Sequence, residues 1–269
     1  MRMPQAQITL TPTESKRLIA KAVAKLPEVL NALRNGIVIV TVGTTNAFVA
    51  EELLGCKIDK EKFAAGIVLP KGTCVLPAEK RTKEIIIRKG KVVDDKMEDV
   101  LLDMTSNDVF IKGANALDPS WMAGVFLASR RGGTVGKIWG IVTSRGVNLI
   151  VAVSLEKFIP SKITDLTQLA GIDKSSFSTG VPIGISPLLG KVITELEAIN
   201  ILTGADAIAL GKGGISGAEG SVTLLVRGAT QQLARVKQLA AAIKGERYPT
   251  IETDCATCDF PCPLHKKRG

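Results

Sequence analysis

The sequence has few aromatic residues and a single histidine. Its 269 residues include seven Phe, two Trp and one Tyr, which is few for the stacking platforms of proteins that bind single-stranded nucleic acid. The one histidine is His265, so a Ser-His-Asp or Cys-His arrangement would need the C-terminus to fold back. These shortages disfavour nucleic acid as a partner and classical hydrolase chemistry as a function.

Long uncharged apolar runs are also missing. A membrane-spanning helix needs roughly 20 predominantly apolar residues, and the apolar stretch 181–210 is interrupted by Lys191, Glu195, Glu197 and Asp206. The first ten residues lack the hydrophobic centre of a secretory signal. We therefore expect a cytoplasmic protein with no membrane partner.

The charge balance is basic, with 35 Lys and Arg against 26 Asp and Glu and a formal net charge of +9. Such a surplus favours anionic partners, and we expect a small anionic ligand. A solvated basic surface that keeps the protein soluble is the alternative. Hydrophobic residues make up 45% of the chain, which is enough to bury a core. A homo-oligomer is compatible with this composition.

The five cysteines are unevenly distributed. Two stand alone in the body of the chain and three crowd its last fifteen residues: Cys56, Cys74, Cys255, Cys258 and Cys262. This is not the disulfide framework of a secreted protein and indicates a reducing compartment.

The C-terminal cysteines form a C-x2-C-x3-C-P-x-H pattern that ends at His265. Cys255, Cys258 and Cys262 together with His265 make a set of three thiols and one imidazole that suits tetrahedral zinc. The spacing also matches the last three cysteines of a bacterial ferredoxin run, so a 4Fe–4S cluster is the second candidate. A basic tail with free thiols is the third interpretation.

Local signals predict alternating helices and strands. Thr11, Pro12 and Glu14 have the spacing of a capping box that begins a helix, and the β-branched run 37–42 is typical of a strand buried in a parallel sheet. Further elements follow: a helix at 47–54, a hairpin at 84–91, a helix at 97–104, a strand at 108–112, a helix at 134–144 and a strand at 148–155. This order predicts an α/β sheet with right-handed crossovers.

The chain changes character after Pro160. The pattern there predicts a strand at 181–187, a helix at 189–202, strands at 205–210 and 221–227 around a glycine-rich stretch, and a helix at 230–244. We therefore predict an α/β core with its N-terminal helix over 1–158, a small α+β subdomain over 159–248 and a cysteine-rich basic tail over 249–269.

Two turns are candidates for binding an anion. The small-residue turn Gly43–Asn46 leaves the first N–H groups of the following helix available to a phosphate or carboxylate; a capped connection without ligand is the alternative. The second candidate is the end of the strand 108–112, where polar residues follow, because open α/β sheets bind ligands at the carboxyl ends of their strands. About twenty residues later the run Arg130–Thr134 opens another helix, and this run together with the polar residues after the strand 108–112 describes an anion-lined crevice.

These motifs resemble those of the NagB/RpiA/CoA-transferase-like superfamily, and of ribose-5-phosphate isomerase A in particular. The resemblance covers residues 38–160. The family has a glycine and threonine loop after its first strand, a D-G-A-D-E-x-D-P signature and a later glycine run, which Val42–Asn46, Lys112–Pro119 and Arg130–Thr134 with Lys137 resemble. This similarity implies an open, mostly parallel sheet with flanking helices.

The chain departs from the isomerases at their acidic residues. Lys112 and Asn115 stand where the signature has acids, and Gly136 stands at the place of the catalytic glutamate. Without a carboxylate there is no evident base for moving a proton between carbons, so ribose-5-phosphate isomerisation is not expected. Surface cations around a degenerate crevice are the simpler interpretation.

The sequence leaves two hypotheses. In the first, the crevice binds a phosphorylated, carboxylated or CoA-linked small molecule. If it also contains catalytic residues, the protein is an enzyme that acts on this molecule. In the second, the protein is a non-enzymatic sensor or interaction protein that contains zinc or an iron–sulfur cluster. The candidate catalytic residues are Asn115, Asp118 and Lys137. The candidate ligand-binding residues are Gly43, Thr44, Thr45, Asn46, Lys112, Gly113, Arg130, Arg131, Gly132, Gly133 and Thr134.

Overall fold

A computed structural model describes residues 3–253 and residue 262. The helices in this part are α1 (Pro12–Val23), α2 (Pro27–Asn35), α3 (Thr44–Leu54), α4 (Met97–Asp103), α5 (Gly133–Arg145), α6 (Ile163–Leu169), α7 (Glu195–Thr203) and α8 (Thr230–Ile243). The strands are β1 (Gln5–Leu10), β2 (Ile37–Val40), β3 (Gly66–Leu69), β4 (Gly72–Val75), β5 (Ile85–Arg88), β6 (Lys91–Val93), β7 (Val109–Gly113), β8 (Ala116–Leu117), β9 (Ala123–Leu127), β10 (Asn148–Ala152), β11 (Gly184–Leu188), β12 (Lys191–Ile193), β13 (Asp206–Lys212) and β14 (Val222–Arg227).

A six-stranded mixed sheet with the order β12-β10-β7-β2-β5-β6 forms the centre of the fold. The first four strands are parallel, whereas β5 and β6 continue the sheet in antiparallel fashion. All four residues of β2 are buried, as expected for a strand covered on both faces. The prediction of an α/β sheet is confirmed at this level.

Helices cover the sheet and enclose its core. Helix α1 packs against α3 and α7 and also contacts β10 and β12, while α2 packs against β2, β5 and β7. The largest fully buried side chains include Phe48 on α3 and Phe110 on β7. No helix in the described part of the chain is both long and apolar enough to cross a membrane.

Three smaller sheets surround this centre. They have the orders β1-β14-β13, β11-β9-β8 and β3-β4, and all their pairings are antiparallel. Strand β1 pairs with β14 from Gln5 opposite Arg227 to Leu10 opposite Val222, so the first strand lies beside one from the C-terminal half. The elements after residue 158 contribute β12 to the central sheet and α7 to the helical layer on α1.

Two local predictions can be checked directly. The capping box is confirmed: Thr11 Oγ1 accepts from Glu14 N, and Glu14 Oε2 accepts from Thr11 N. The helix predicted over 189–202 is wrong in its first part, because Lys191–Ile193 pairs with β10 as a strand. Helix α7 starts at Glu195, where Thr194 provides a second capping box with Glu197.

Candidate functional site

The first turn of α3 has no side-chain cap and is partly buried, since Gly43 and Thr44 are half-exposed whereas Thr45 and Asn46 are buried. Helix α3 begins at Thr44, directly after β2 and the loop that includes Gly43, which is its N-cap and offers no side chain. Thr45 is 4% exposed and Asn46 is fully buried. The first N–H groups of a helix have no partner within it and carry partial positive charge, so this partly buried helix end can donate to acceptors from outside α3.

Asn46 adds an unpaired oxygen to the same turn. Its Nδ2 donates to Thr41 O at 2.9 Å and also faces Ile111 O at 3.4 Å. Because both partners are carbonyls, which only accept, the orientation of the amide is fixed. Asn46 Oδ1 is buried and has no hydrogen-bond partner in the described structure. Leaving such an oxygen unpaired costs roughly 1–3 kcal/mol, so a donor from a ligand or a water molecule belongs there.

The end of β7 lies beside this oxygen. A Cβ atom at Gly113 would stand 3.9 Å from Asn46 Oδ1 and 3.9 Å from Ala152 O. Glycine therefore leaves room next to the unpaired amide oxygen at the carboxyl end of the strand. The structure thus brings together the predicted residues Gly43–Asn46 and Gly113.

Lys157 reaches the same strand end from the turn after β10. Its Nζ donates to Ala114 O at 3.0 Å, one residue beyond Gly113. Burial, together with the nearby Lys16 ammonium, lowers the pKa of Lys157 to about 8 despite the neighbouring Glu156. Glu156 is itself paired with Lys16 at 2.8 Å. Lys157 could not be identified from the sequence, because its position depends on how β10 and β7 align.

Lys112 is a second amine at this strand end. Lys112 is 9% exposed. In the described part of the chain, no carboxylate or other acceptor forms a hydrogen bond or ion pair with its ammonium group. Burial alone lowers its pKa to about 8. Side chains alternate along a strand, so Lys112 points to the face of the sheet opposite to Gly113.

The side chains of Asn115 and Asp118 are used within the loop that holds β8 and β9. Asn115 Oδ1 accepts from Phe126 N at 3.0 Å. Asp118 accepts from Ser120 N at 2.8 Å and from Ile163 N at 3.0 Å. Burial opposes ionisation of Asp118, but these hydrogen bonds outweigh it and lower its pKa. Both residues therefore have a structural role, and their catalytic roles stay predictions.

The cations at the start of α5 are exposed and mostly paired. Arg130 Nη2 forms an ion pair with Asp173 at 2.8 Å, and Lys137 Nζ one with Glu98 at 2.6 Å. The loop between them needs glycine, because Gly132 and Gly133 have φ angles of 72° and 55°. The run Arg130–Thr134 is thus placed at the beginning of a helix, as predicted.

Gly136 lies too close to the preceding loop for any side chain to fit. A Cβ atom at Gly136 would lie 2.0 Å from Arg131 O, a distance that no side chain tolerates. The loop carbonyl packs directly on the helix at this point. A carboxylate is therefore sterically excluded from the position where the resemblance would put a base.

Glu195 is a buried carboxyl that no sequence motif above contains. It is fully buried at the start of α7, where Ser154 Oγ and Leu155 N donate to its two oxygens at 2.6 and 2.9 Å. Burial raises its pKa above the ordinary value in spite of these bonds. Its hydrogen bonds tie the turn after β10 to α7, and the capping pattern around Thr194 is the sequence signal that could have located it.

An open groove of about 740 Å³ lies at the opposite edge of the sheet, around Ile37 and Asp108. Asp108 Oδ1 accepts from Ile37 N at 2.6 Å and Oδ2 from Thr105 N at 2.7 Å. These bonds use the carboxylate to join the amino ends of β2 and β7. Asp108 therefore has a structural role at this edge of the sheet.

The predicted metal ligands are largely outside the described residues. Cys255, Cys258 and His265 lie there, whereas Cys262 is described and is partly buried. Within residues 3–253 and 262, no group of three or more His, Cys, Asp or Glu side chains could hold a metal.

No family model, curated protein or solved structure matches the chain.

Proposed function

We propose that the protein binds a small molecule with a phosphate or carboxylate group at the carboxyl edge of the central sheet. One observation carries this proposal: the first turn of α3 has no side-chain cap, and the buried Asn46 Oδ1 within it lacks a donor. Helix N-termini bind anions through their N–H groups. Lys157 adds a cation at the adjacent strand end.

The two kinds of unpaired group specify the ligand further. The N–H groups of Thr44 and Thr45 can donate to an acceptor, and the helix dipole favours one with negative charge, whereas Asn46 Oδ1 lacks a donor. A hydroxylated phosphate or carboxylate offers both within one small molecule. A CoA derivative also carries phosphates and hydroxyl groups, and it belongs to the same candidate class.

The resemblance to the isomerase and CoA-transferase superfamily supports this placement of the ligand. The glycine and threonine loop that carries the resemblance is the turn Gly43–Asn46, and the ends of the parallel strands β7 and β10, at Gly113 and Ala152, lie close to Asn46. Ribose-5-phosphate isomerisation is not part of the proposal, because Gly136 leaves no room for the base. The proposed function is therefore ligand binding.

Calorimetric titration with inorganic phosphate, glycerol phosphate and glycerol tests the proposal. We expect glycerol phosphate to bind more tightly than phosphate, and glycerol not to bind. Lys157→Met should weaken the binding of glycerol phosphate at least tenfold, whereas Lys83→Met should not, because Lys83 is 77% exposed and pairs with Asp94. Equal affinities in the two variants, or no binding of either phosphate, would contradict the proposal.

A second candidate function is metal binding by the C-terminal cysteines, as zinc or as a 4Fe–4S cluster. One observation favours this function: residues that precede the motif form hydrogen bonds with the body of the protein. Glu246 Oε2 accepts from Arg17 Nε at 2.8 Å and Tyr248 Oη donates to Lys60 O at 2.6 Å, so the segment before the motif is held against the body. Zinc, iron and sulfide analysis of protein purified without oxygen tests this function.

A further inference from the structure

Lys157 lies in a turn after β10 that is fixed on both sides of the lysine. Before it, Leu155 N donates to the buried carboxyl of Glu195 at 2.9 Å. After it, Ile159 N donates to a carbonyl oxygen of β8 at 2.8 Å. Between these anchors, Lys157 Nζ donates to Ala114 O at 3.0 Å. The amine therefore has a defined place at the end of β7.

This amine lies on the same side of the sheet as the first turn of α3. Burial and the nearby Lys16 ammonium of α1 lower the pKa of Lys157, and α1 packs against both α3 and β10. Ala114, whose carbonyl accepts from the amine, directly follows Gly113. A Cβ atom at Gly113 would stand 3.9 Å from Asn46 Oδ1. The amine and the unpaired amide oxygen therefore belong to one site.

No carboxylate neutralises the charge of this amine. In the described part of the chain Lys157 forms no ion pair, and the adjacent Glu156 is paired with Lys16 at 2.8 Å. Because the pKa of Lys157 is lowered to about 8, about half of its amines are unprotonated at pH 8, against less than about 1% for a lysine with the ordinary pKa. The unprotonated amine is the form that reacts with carbonyl compounds.

The site thus offers three different partners between α3 and the turn after β10. The N–H groups of the first turn of α3 favour an anion. Asn46 Oδ1 lacks a hydrogen-bond donor, and a hydroxyl group supplies one. The Lys157 amine at Ala114 O follows at the adjacent strand end. A small molecule that carries a phosphate, a hydroxyl group and a carbonyl group matches all three.

We propose that Lys157 forms an imine with the carbonyl group of a phosphorylated hydroxyaldehyde or hydroxyketone whose phosphate lies at the start of α3. In this step the nitrogen lone pair forms a bond to the carbonyl carbon. Both amine protons pass to the carbonyl oxygen, which leaves as water, so no oxidant or reductant takes part. The inference rests on the proposed function and names the substrate class of the same site.

Reductive trapping in the wild-type protein tests this inference. The protein is incubated at pH 8 with glyceraldehyde 3-phosphate or erythrose 4-phosphate and with cyanoborohydride, which reduces an imine to a stable secondary amine. Mass spectrometry of peptides then measures the modification of each lysine. Lys112 is the matched control, because burial lowers its pKa to about 8 as well but its side chain points to the other face of the sheet. Lys83 is the exposed control.

We expect Lys157 to be modified at least tenfold faster than Lys112 and Lys83 with either phosphorylated aldehyde. An excess of glycerol phosphate, which has no carbonyl group, should slow the modification of Lys157 at least tenfold. Glyceraldehyde, which has no phosphate, should modify Lys157 at least tenfold more slowly than glyceraldehyde 3-phosphate does.

The variant Lys157→Arg separates the charge of the residue from its reactivity. Arginine keeps a positive charge but forms no imine that cyanoborohydride traps. We therefore expect the variant to bind glycerol phosphate within about threefold of the wild-type affinity, and its selective trapping to be lost.

The possible results distinguish the imine from the binding site. If glycerol phosphate binds but Lys157 is modified no faster than Lys112 or Lys83, the imine is overturned and the proposed function stands. Selective trapping that persists in Lys157→Arg also overturns the assignment to this lysine. If glycerol phosphate does not bind and no lysine is trapped selectively, both are overturned.

Discussion

Lys112 is 9% exposed and pairs with no carboxylate in the described part of the chain, and burial lowers its pKa from 10.5 to about 8. Below pH 8 the lysine is protonated in both the folded and the unfolded chain, and the folded state bears the full cost of the buried charge. Between about pH 8 and 10.5 the folded form has lost a proton that the unfolded form keeps, so this residue makes the free energy of unfolding rise with pH.

Replacing this lysine by methionine should therefore stabilise the protein at neutral pH. One pKa unit corresponds to about 1.4 kcal/mol, so we expect Lys112→Met to raise the free energy of unfolding by about 2–3 kcal/mol at pH 7. The gain should shrink as the pH approaches 10.5. Urea denaturation at pH 7 and pH 10 measures it, with Lys83→Met as the exposed control. A Lys112→Met variant less stable than wild type at pH 7 would show that the amine has a stabilising partner.

At the scale of single elements, two glycines of α5 should respond to alanine with opposite signs. A Cβ atom at Gly136 would meet Arg131 O at 2.0 Å, whereas one at Gly140 would meet nothing within 4 Å. We expect Gly136→Ala to destabilise the fold by about 1–3 kcal/mol through this clash. Gly140→Ala should stabilise it by about 0.5–1 kcal/mol, because alanine has the higher helix propensity. Thermal denaturation followed by circular dichroism compares the two, and equal effects would contradict the close packing at Gly136.

Local sequence signals predicted some of these helices and strands but not others. The start of α1 and the strand β2 were predictable because a capping box and a β-branched run are local signals. Strand β1 and strand β12 were not, since each is defined by a partner far along the chain: Gln5 lies opposite Arg227, and Val192 opposite Val151.

Some features of the candidate site were likewise predictable from the sequence, and others were not. The turn Gly43–Asn46 followed from its position after a strand, whereas the unpaired oxygen of Asn46 and the approach of Lys157 depend on how the strands align. The local pattern therefore identified the loop but not the groups that complete it.

At the scale of the whole molecule, Arg17 joins α1, α3 and the segment after α8. Its guanidinium donates to Glu51, Glu52 and Glu246, and its side chain is 7% exposed. Burial would raise the pKa of Glu51, but bonds from Lys60 and Arg17 hold it at about 2. Because the folded pKa lies below the ordinary 4.5, this contribution to stability is present above pH 4.5 and is lost as the pH falls towards 2.

Removal of the Arg17 guanidinium should therefore lower the free energy of unfolding at neutral pH. Taking one partner from a buried ion pair costs about 3–5 kcal/mol, and we expect a loss of this size for Arg17→Met at pH 7, with a smaller loss at pH 3. Arg88→Met is the control, since Arg88 is 31% exposed and pairs with Asp95 and Asp103; it should cost at most about 1 kcal/mol. Urea denaturation of both variants at the two pH values checks this, and equal losses would argue against the role of Arg17 in joining the three segments.

Amide NMR can follow the binding of an anion at the start of α3 residue by residue. Glycerol phosphate is titrated into isotope-labelled protein while the backbone N–H resonances of Thr44, Thr45 and Asn46 are followed. We predict saturable shifts at these three amides, and their loss in Lys157→Met. Shifts that scatter over the basic surface without saturation, with these three amides unmoved, would contradict the binding of an anion at this turn.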